Sequence, residues 1–383
     1  MPSVGAFGKD ATVAKNRTRA TTRNSSMLLV QLVLALAAMS VSAFHGPLPS
    51  FQRALGQESF GLRSVVNEGG GDAESALTPP STSETPSAKL GLLTFDLDDT
   101  LFLCQTVVEE ADVALMAAMK EAGGERVQKS NIYTTMKSER RKRAAPITYS
   151  NLRIRSIRRN LEAHLGKGRV ETDTVMGIFL TWLKERQASA NRNLFPGTVE
   201  MLQKIKEEHP NVCIGAVTNG RGNPLEMDRI KEYFDFCVSG EDDGVFPERK
   251  PSPGIYLEAL RKYKELHSAS ISDSNVWCHV GDDLAKDVGA SAKLGAYPVW
   301  VEIDQFQSDE PKFYSTATSQ ETGQHKRLAQ YAQQEVKEKI YRLSDLPAAV
   351  HSLLQQAVRA QLLGDNDTKK NKQRKKTGGR GFQ

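Results

Sequence analysis

With 383 residues, 39% of them hydrophobic, the chain can build one large core or two domains. Its net charge of +5 sits at one end: "TKKNKQRKKTGGR" near the C-terminus holds seven Lys/Arg and no acid, so the remainder carries −2 and a global nucleic-acid-binding surface is excluded. The four cysteines, Cys104, Cys213, Cys237 and Cys278, show neither CxxC nor metal-ligand spacing, which excludes a disulfide framework.

The N-terminal run "MLLVQLVLALAAM", Met27 to Met39, is too short for a comfortable membrane span. Lys15, Arg17, Arg19 and Arg23 precede it, and Val41 and Ala43 fit the −3 and −1 positions of a signal-peptide cut. Residues 1–43 therefore read as a signal peptide. Phe44 and "HGPLPSFQRALG" resemble the transit peptide that follows such a cut in algae with complex plastids. The alternative is plain secretion, against which the unpaired cysteines argue. The rest of 44–88 ends in the Gly/Ser/Thr/Pro-rich "NEGGGDAESALTPPSTSETPSA", a disordered linker.

From Leu90 onward, apolar strand-like runs alternate with amphipathic helical stretches, the pattern of an α/β domain with a parallel sheet. The expected strands are "GLLTFDLD", "VCIGAVTN", "FDFCVSG", "NVWCHVGD" and "AYPVWVE". Residues 89–103, 194–302 and 339–360 make the core, and 104–193 form a helical module inserted after the first strand. Within it, Ile154, Ile157, Leu161 and Leu165 share one helical face. Residues 303–338 read as a polar insertion without clear periodicity until "RLAQYAQQEVKEKI", an expected surface helix. Residues 361–383 read as a basic disordered tail, solubilising or in contact with RNA or an acidic partner.

The expected strand ends carry chemistry. Asp96, Asp98 and Asp99 follow the first apolar run, where an unpaired carboxylate would cost several kcal/mol. A cation is therefore expected there. Thr218 and Asn219 end the second strand, Lys250 in "RKPSPGIY" precedes a helix, and "HVGDDLAKDV" places Asp282, Asp283 and Asp287 after another strand. At the carboxyl ends of parallel strands these groups converge on one crevice.

In this order they resemble the four motifs of the haloacid dehalogenase superfamily, and the helical insertion resembles the cap of members acting on small phosphorylated metabolites. The resemblance implies a Rossmann-like parallel-sheet core with an inserted helical cap, and a phosphatase. Asp96 would be the nucleophile that forms an aspartyl-phosphate, and Asp98 the acid and then the base. Mg²⁺ would be held by Asp96, the backbone carbonyl of Asp98, and Asp282, with Asp283 or Asp287 supporting its waters. Thr218, Asn219 and Lys250 would bind the phosphoryl group. Asp99 reads instead as a loop or helix-cap residue, and His279 as a packed core histidine.

The expected cap is basic, through "SERRKRAAP" and "NLRIRSIRRN", and Arg153 and Arg155 are candidates for contacting substrate. "ITYSNLRIRSI" and "AVTNGRGNP" look like the bacterial phosphatases of riboflavin synthesis, which implies 5-amino-6-(5-phospho-D-ribitylamino)uracil as substrate. Phosphoglycolate, a sugar phosphate, and a phosphomutase that retains its intermediate are the alternatives. A dehalogenase needs neither the Asp98 proton nor Mg²⁺. A non-enzymatic reading is a plastid interaction protein using the basic tail. No nucleic-acid partner is expected of the core.

A fusion of residues 1–88 to a fluorescent protein is expected to enter the plastid of a suitable alga, and Phe44→Ser to strand it outside. Import that ignores Phe44 would contradict the bipartite reading.

Overall fold

The computed structural model describes residues 87–272, 274–303 and 319–377, the last with side chains only over 322–363, all within one compact unit, Ser81–Gln383. The signal-like and transit-like segments and most of the linker lie outside the described residues, as do 304–318 of the expected insertion. No helix among the described residues is long and apolar enough to cross a membrane.

Six parallel strands form one sheet: β1 (Lys89–Phe95), β2 (Cys213–Thr218), β3 (Phe236–Ser239), β4 (Asn275–Gly281), β5 (Tyr297–Val301) and β6 (Glu338–Ile340). Their order is β3-β2-β1-β4-β5-β6, a Rossmann-like arrangement with β1 at the centre. Both faces of β1 are covered, which is why its sequence is continuously apolar rather than alternating. Leu93 and Phe95 pack with Leu202, Ile205 and Leu353, whereas Leu92 packs with Val217, Trp277 and Tyr256 on the other face. The pairing of β1 with β4 slips at Gly91, where a Cβ would overlap the Asn275 side chain. Glycine is required there by close approach.

Between β1 and β2 run four helices, α1 (Cys104–Glu121), α2 (Lys129–Arg141), α3 (Tyr149–Leu165) and α4 (Thr172–Arg192), followed by α5 (Thr198–Glu208). The first four enclose their own apolar cluster, including Leu115, Met119, Ile132, Leu152, Ile157, Leu161 and Trp182. Ile154 and Leu165 pack at its margin. The Thr148 side chain opens α3 by accepting from Asn151 N at 3.1 Å, and Gly166 at φ 105° ends it. The two chain segments entering and leaving this cap lie side by side: Phe102 bridges Leu194, and Phe195 N donates to Leu101 O at 2.8 Å. A pair of adjacent crossings is the geometry of a hinge.

The remaining long helices among the described residues are α6 (Pro253–His267), α7 (Ser319–Ala332) and α8 (Leu346–Thr377), with shorter helical turns between the strands. Two expectations are corrected. The surface helix expected over "RLAQYAQQEVKEKI" ends at Ala332, and Glu338–Ile340 form the edge strand β6 beside β5. The apolar side chain of Ile340 belongs to the core, a three-residue signal too short to read. Over 361–377, read from the sequence as part of a disordered tail, the backbone of α8 continues as helix through Gly364 to Thr377. Residues 378–383 lie outside the described residues.

Candidate active site

The carboxyl ends of β1, β2 and β4 open into a cavity of about 370 Å³, roofed by cap residues including Val108, Met136, Arg153, Trp182 and Arg186. Lys250 is its most heavily engaged cation. Buried, with its side chain 1% exposed, it donates to Asp96 Oδ1 and to Asp287 Oδ1, both at 2.7 Å. The Asn219 side chain sets its position: Lys250 N donates to Asn219 Oδ1 at 2.8 Å, and Asn219 Nδ2 donates to Lys250 O at 3.0 Å. The Asn219 side chain therefore clamps the lysine backbone, and any role toward phosphate falls to its backbone N–H. Thr218 Oγ1 accepts from Gly220 N at 3.3 Å and lines the cavity.

Asp96, Asp282 and Asp287 bring carboxylate oxygens within 4.8 Å of one another. Thr100 holds Asp282 twice: its hydroxyl accepts from Asp282 N at 3.1 Å and donates to Oδ1 at 3.3 Å. The Asp98 carboxylate stands apart from this cluster, accepting from Arg186 Nη2 at 2.6 Å. Asp99, at φ 64°, accepts from Cys104 N at 2.9 Å and so ties down the start of α1. The choice between Asp283 and Asp287 has a geometric answer. Asp283 turns to His325 at 2.8 Å and Lys286 at 2.6 Å and caps the π-helical turn Leu284–Gly289. Asp287 joins the cluster, its Oδ2 accepting from Asp283 N at 3.1 Å. His279 is fully buried between Thr94 Oγ1, at 2.8 Å from Nδ1, and Asp287, at 3.4 Å from Nε2.

The cap arginines separate. Arg153 is buried, bonded to Asp112 at 3.1 Å and stacked 3.9 Å from the centre of the Trp182 ring, and it lines the cavity. Arg155, on the same helix two residues on, is exposed and lies outside the cavity lining. That placement runs against the expected contact with substrate: a spacing of two turns a side chain to a different helical face. Arg186, Glu241 and Trp182 were not among the expected site residues. The spacing of Trp182 and Arg186, four apart and so on one face of α4, was the available signal for the cap pair. Glu241 follows "FDFCVSG" with nothing local to mark it.

Crowding three carboxylates around one lysine shifts their titration. Burial raises the Asp96 carboxyl from 3.8 to about 7, against the pull of Lys250 and with the push of Asp287. Burial, then Asp287 and Asp96, holds Asp282 well above its ordinary value. Asp287 is the one held low: Lys250 and His279 overcome its burial. Burial lowers His279, which keeps the imidazole neutral. Two acids whose charged forms are disfavoured, side by side and open to the cavity, fit a divalent cation with oxygen ligands. The sign for stability follows. With its folded value above its ordinary one, Asp96 costs the fold stability as pH rises from about 4 to about 7. In the presence of a chelator, Asp96→Asn is thus expected to melt a few degrees above the wild type at pH 7.5, with the gap closing toward pH 4. A variant melting below the wild type at pH 7.5 would mean that attraction to Lys250 outweighs burial.

Comparison with known proteins agrees with this architecture. Residues 90–295 match the haloacid dehalogenase-like hydrolase family. The 5-amino-6-(5-phospho-D-ribitylamino)uracil phosphatase YigB of Escherichia coli (strain K12) is 25% identical over 221 residues, 56% of this chain and 85% of that protein. A glyceraldehyde 3-phosphate phosphatase of Methanopyrus kandleri is 26% identical over 226 residues, 57% of this chain and 86% of its own length. Among solved structures, a 2-haloacid dehalogenase from Pseudomonas syringae pv. Tomato DC3000 superposes with a TM-score of 0.50 at 23% identity, covering 68% of this chain and 98% of that one, a likeness of fold. With a central β1 ending in Asp96, a lysine bridging it to the acidic turn after β4, and a helical cap between β1 and β2, this chain belongs to the haloacid dehalogenase-like hydrolases.

Proposed function

We propose that the chain is a Mg²⁺-dependent phosphatase of small phosphorylated metabolites, with 5-amino-6-(5-phospho-D-ribitylamino)uracil as its substrate. The observation that carries the phosphatase reading is a division of labour between two carboxylates. Asp96 is bound to Lys250 at 2.7 Å at the end of β1, whereas Asp98, two residues on, is held separately by Arg186 at 2.6 Å. The phosphatases YigB and that of Methanopyrus kandleri, similar over more than half of the chain, support the same reading, and the first supplies the substrate.

Lys250 occupies Asp96 Oδ1, which leaves the other oxygen to attack phosphorus. The new P–O bond forms as the ester P–O bond breaks, and the departing alkoxide takes a proton from Asp98. Asp98 then removes a proton from water, whose oxygen attacks the aspartyl-phosphate and frees Asp96 and inorganic phosphate. Lys250 and the Thr218 hydroxyl stabilise the charge on the transferring phosphoryl group, with the Asn219 backbone N–H as a further donor. Asp96, Asp282 and the Asp98 backbone carbonyl would hold Mg²⁺, with Asp287 behind them, and the ion would supply charge neutralisation of the phosphoryl oxygens and of the crowded acids. Attack on carbon in a dehalogenase needs no proton from Asp98 and no acidic cluster, so both features favour phosphoryl chemistry. The signal-like run and the Phe44 that follows its cut support action in the plastid of an alga with complex plastids, with the basic end of the chain solubilising or in contact with RNA or an acidic partner.

Purified protein with Mg²⁺ is expected to release phosphate from the ribitylaminouracil phosphate with a higher kcat/KM than from glyceraldehyde 3-phosphate or phosphoglycolate. A clear preference for phosphoglycolate would overturn the substrate. Asp96→Asn is expected to abolish turnover, and Asp98→Asn to lower kcat on an alkyl phosphate by about 10²–10⁴-fold. Ordinary rates in Asp98→Asn would remove that residue from the mechanism.

A further inference from the structure

We infer that the site selects phosphate monoesters whose organic part carries no charge, because each cation lining the cavity among the described residues is already bound to an acid side chain of the protein. The inference rests on the phosphatase reading, and draws on the geometry of the cap rather than on any relative's substrate. Among the described residues five cations line the cavity. Lys250 is held by Asp96 and Asp287, and Lys286 by Asp283 at 2.6 Å, both at the phosphoryl end. The three arginines nearer the cap, where the organic part must lie, are matched one to one: Arg153 with Asp112 at 3.1 Å, Arg186 with Asp98 at 2.6 Å, and Arg221 with Glu241 at 3.1 Å.

These partners are fixed. Asp112 is 1% exposed and also accepts from the Trp182 indole N–H at 3.1 Å and the Tyr133 hydroxyl at 2.6 Å. Arg153 in turn spends one nitrogen on Asp112, another on the Tyr133 oxygen at 3.3 Å, and its flat face on Trp182. The Glu241 side chain, 0% exposed, also accepts from Ser150 N at 3.1 Å. Arg186 Nη1, which has no hydrogen-bond partner among the described residues, is shut off from water near Leu97 and Gly222, so it offers nothing to a ligand in the cavity.

A carboxylate or second phosphate on the substrate would thus be desolvated beside cations that already have partners, and beside the partners' own negative charge. Hydroxyls and amides face no such penalty, since they bond to polar edges without adding charge. Val108, Met136 and the Trp182 ring supply apolar wall for the rest.

The test is a matched pair, ribitol 5-phosphate and 5-phosphoribonate, which differ only in a terminal hydroxymethyl against a carboxylate. The full-length protein with Mg²⁺ is expected to favour ribitol 5-phosphate in kcat/KM by at least about tenfold. Calorimetric binding of the same pair to Asp96→Asn reads the preference without turnover. Asp112→Asn releases Arg153 and is expected to shrink the preference at least about threefold; if that variant does not fold, Glu241→Gln releases Arg221 and is read the same way. Equal or better use of 5-phosphoribonate, or measurable binding of neither compound, overturns the inference. Failure of the phosphatase reading looks different: no Asp96-dependent phosphate release from any monoester, p-nitrophenyl phosphate included, while the binding preference can still be measured.

Discussion

The bond from Lys250 to Asp96 and Asp287 is the interaction on which the site depends. Three charged groups, each less than a tenth exposed, meet where β1, β4 and the loop before α6 converge. The lysine is the member that cannot be lost: its removal would leave two buried like charges, and breaking a buried pair typically costs about 3–5 kcal/mol. The surrounding structure over-determines the lysine accordingly. Asn219 grips its backbone from the end of β2, and Asp287 is in turn held by Asp283 N and backed by a neutral His279. Through Lys250 the ends of β2, β1 and β4 are tied together, so neighbouring strands of the sheet are also neighbours in the site.

One lysine cannot satisfy all the acids it faces. Asp96 and Asp282 keep raised affinities for protons because burial and mutual repulsion exceed what Lys250 returns. The fold thus holds a reactive carboxylate and its neighbour in a condition that favours a cation or a proton, a strain located at the point of chemistry. The Asp98 side chain lies outside this cluster, on Arg186, a cap residue. Arg186 belongs to α4, so the partner that orients Asp98 comes from the cap and not from the sheet. Cap position and Asp98 orientation are thereby coupled.

Much of this was legible in the sequence, for an identifiable reason. The reactive groups of a parallel sheet lie within a few residues of strand ends, and apolar runs mark strand ends well. Asp96, Thr218 and Asp282 follow from the strand ends and Lys250 from the start of a helix, and the structure brings the four to one cavity. The cap was less legible, because a helical surface rotates by about 100° per residue and two arginines two apart face different surroundings. Arg153 and Arg155 diverged on that ground, one buried and one exposed. Pairings such as Arg186 with Asp98 or Arg153 with Asp112 depend on how helices pack, and neither partner is near the other in sequence. Strand β6 was missed because three residues, only one of them in the core, carry too little pattern.

The contrast between core and cap charges bears on how such an enzyme can change substrate while keeping its chemistry. In the core, cations and acids are pooled: Lys250 serves two carboxylates, and Asp282 and Asp96 share one crowded space. A substitution at any of them disturbs all. Facing the organic part, charge is settled pairwise, Arg153 with Asp112 in the cap and Arg221 with Glu241 on the core loops below it, so one acid can be lost and a single arginine released without touching Lys250. That change would turn a cavity matched to uncharged groups into one that recruits a carboxylate. Pooling makes the reaction hard to alter; pairing leaves specificity one substitution away.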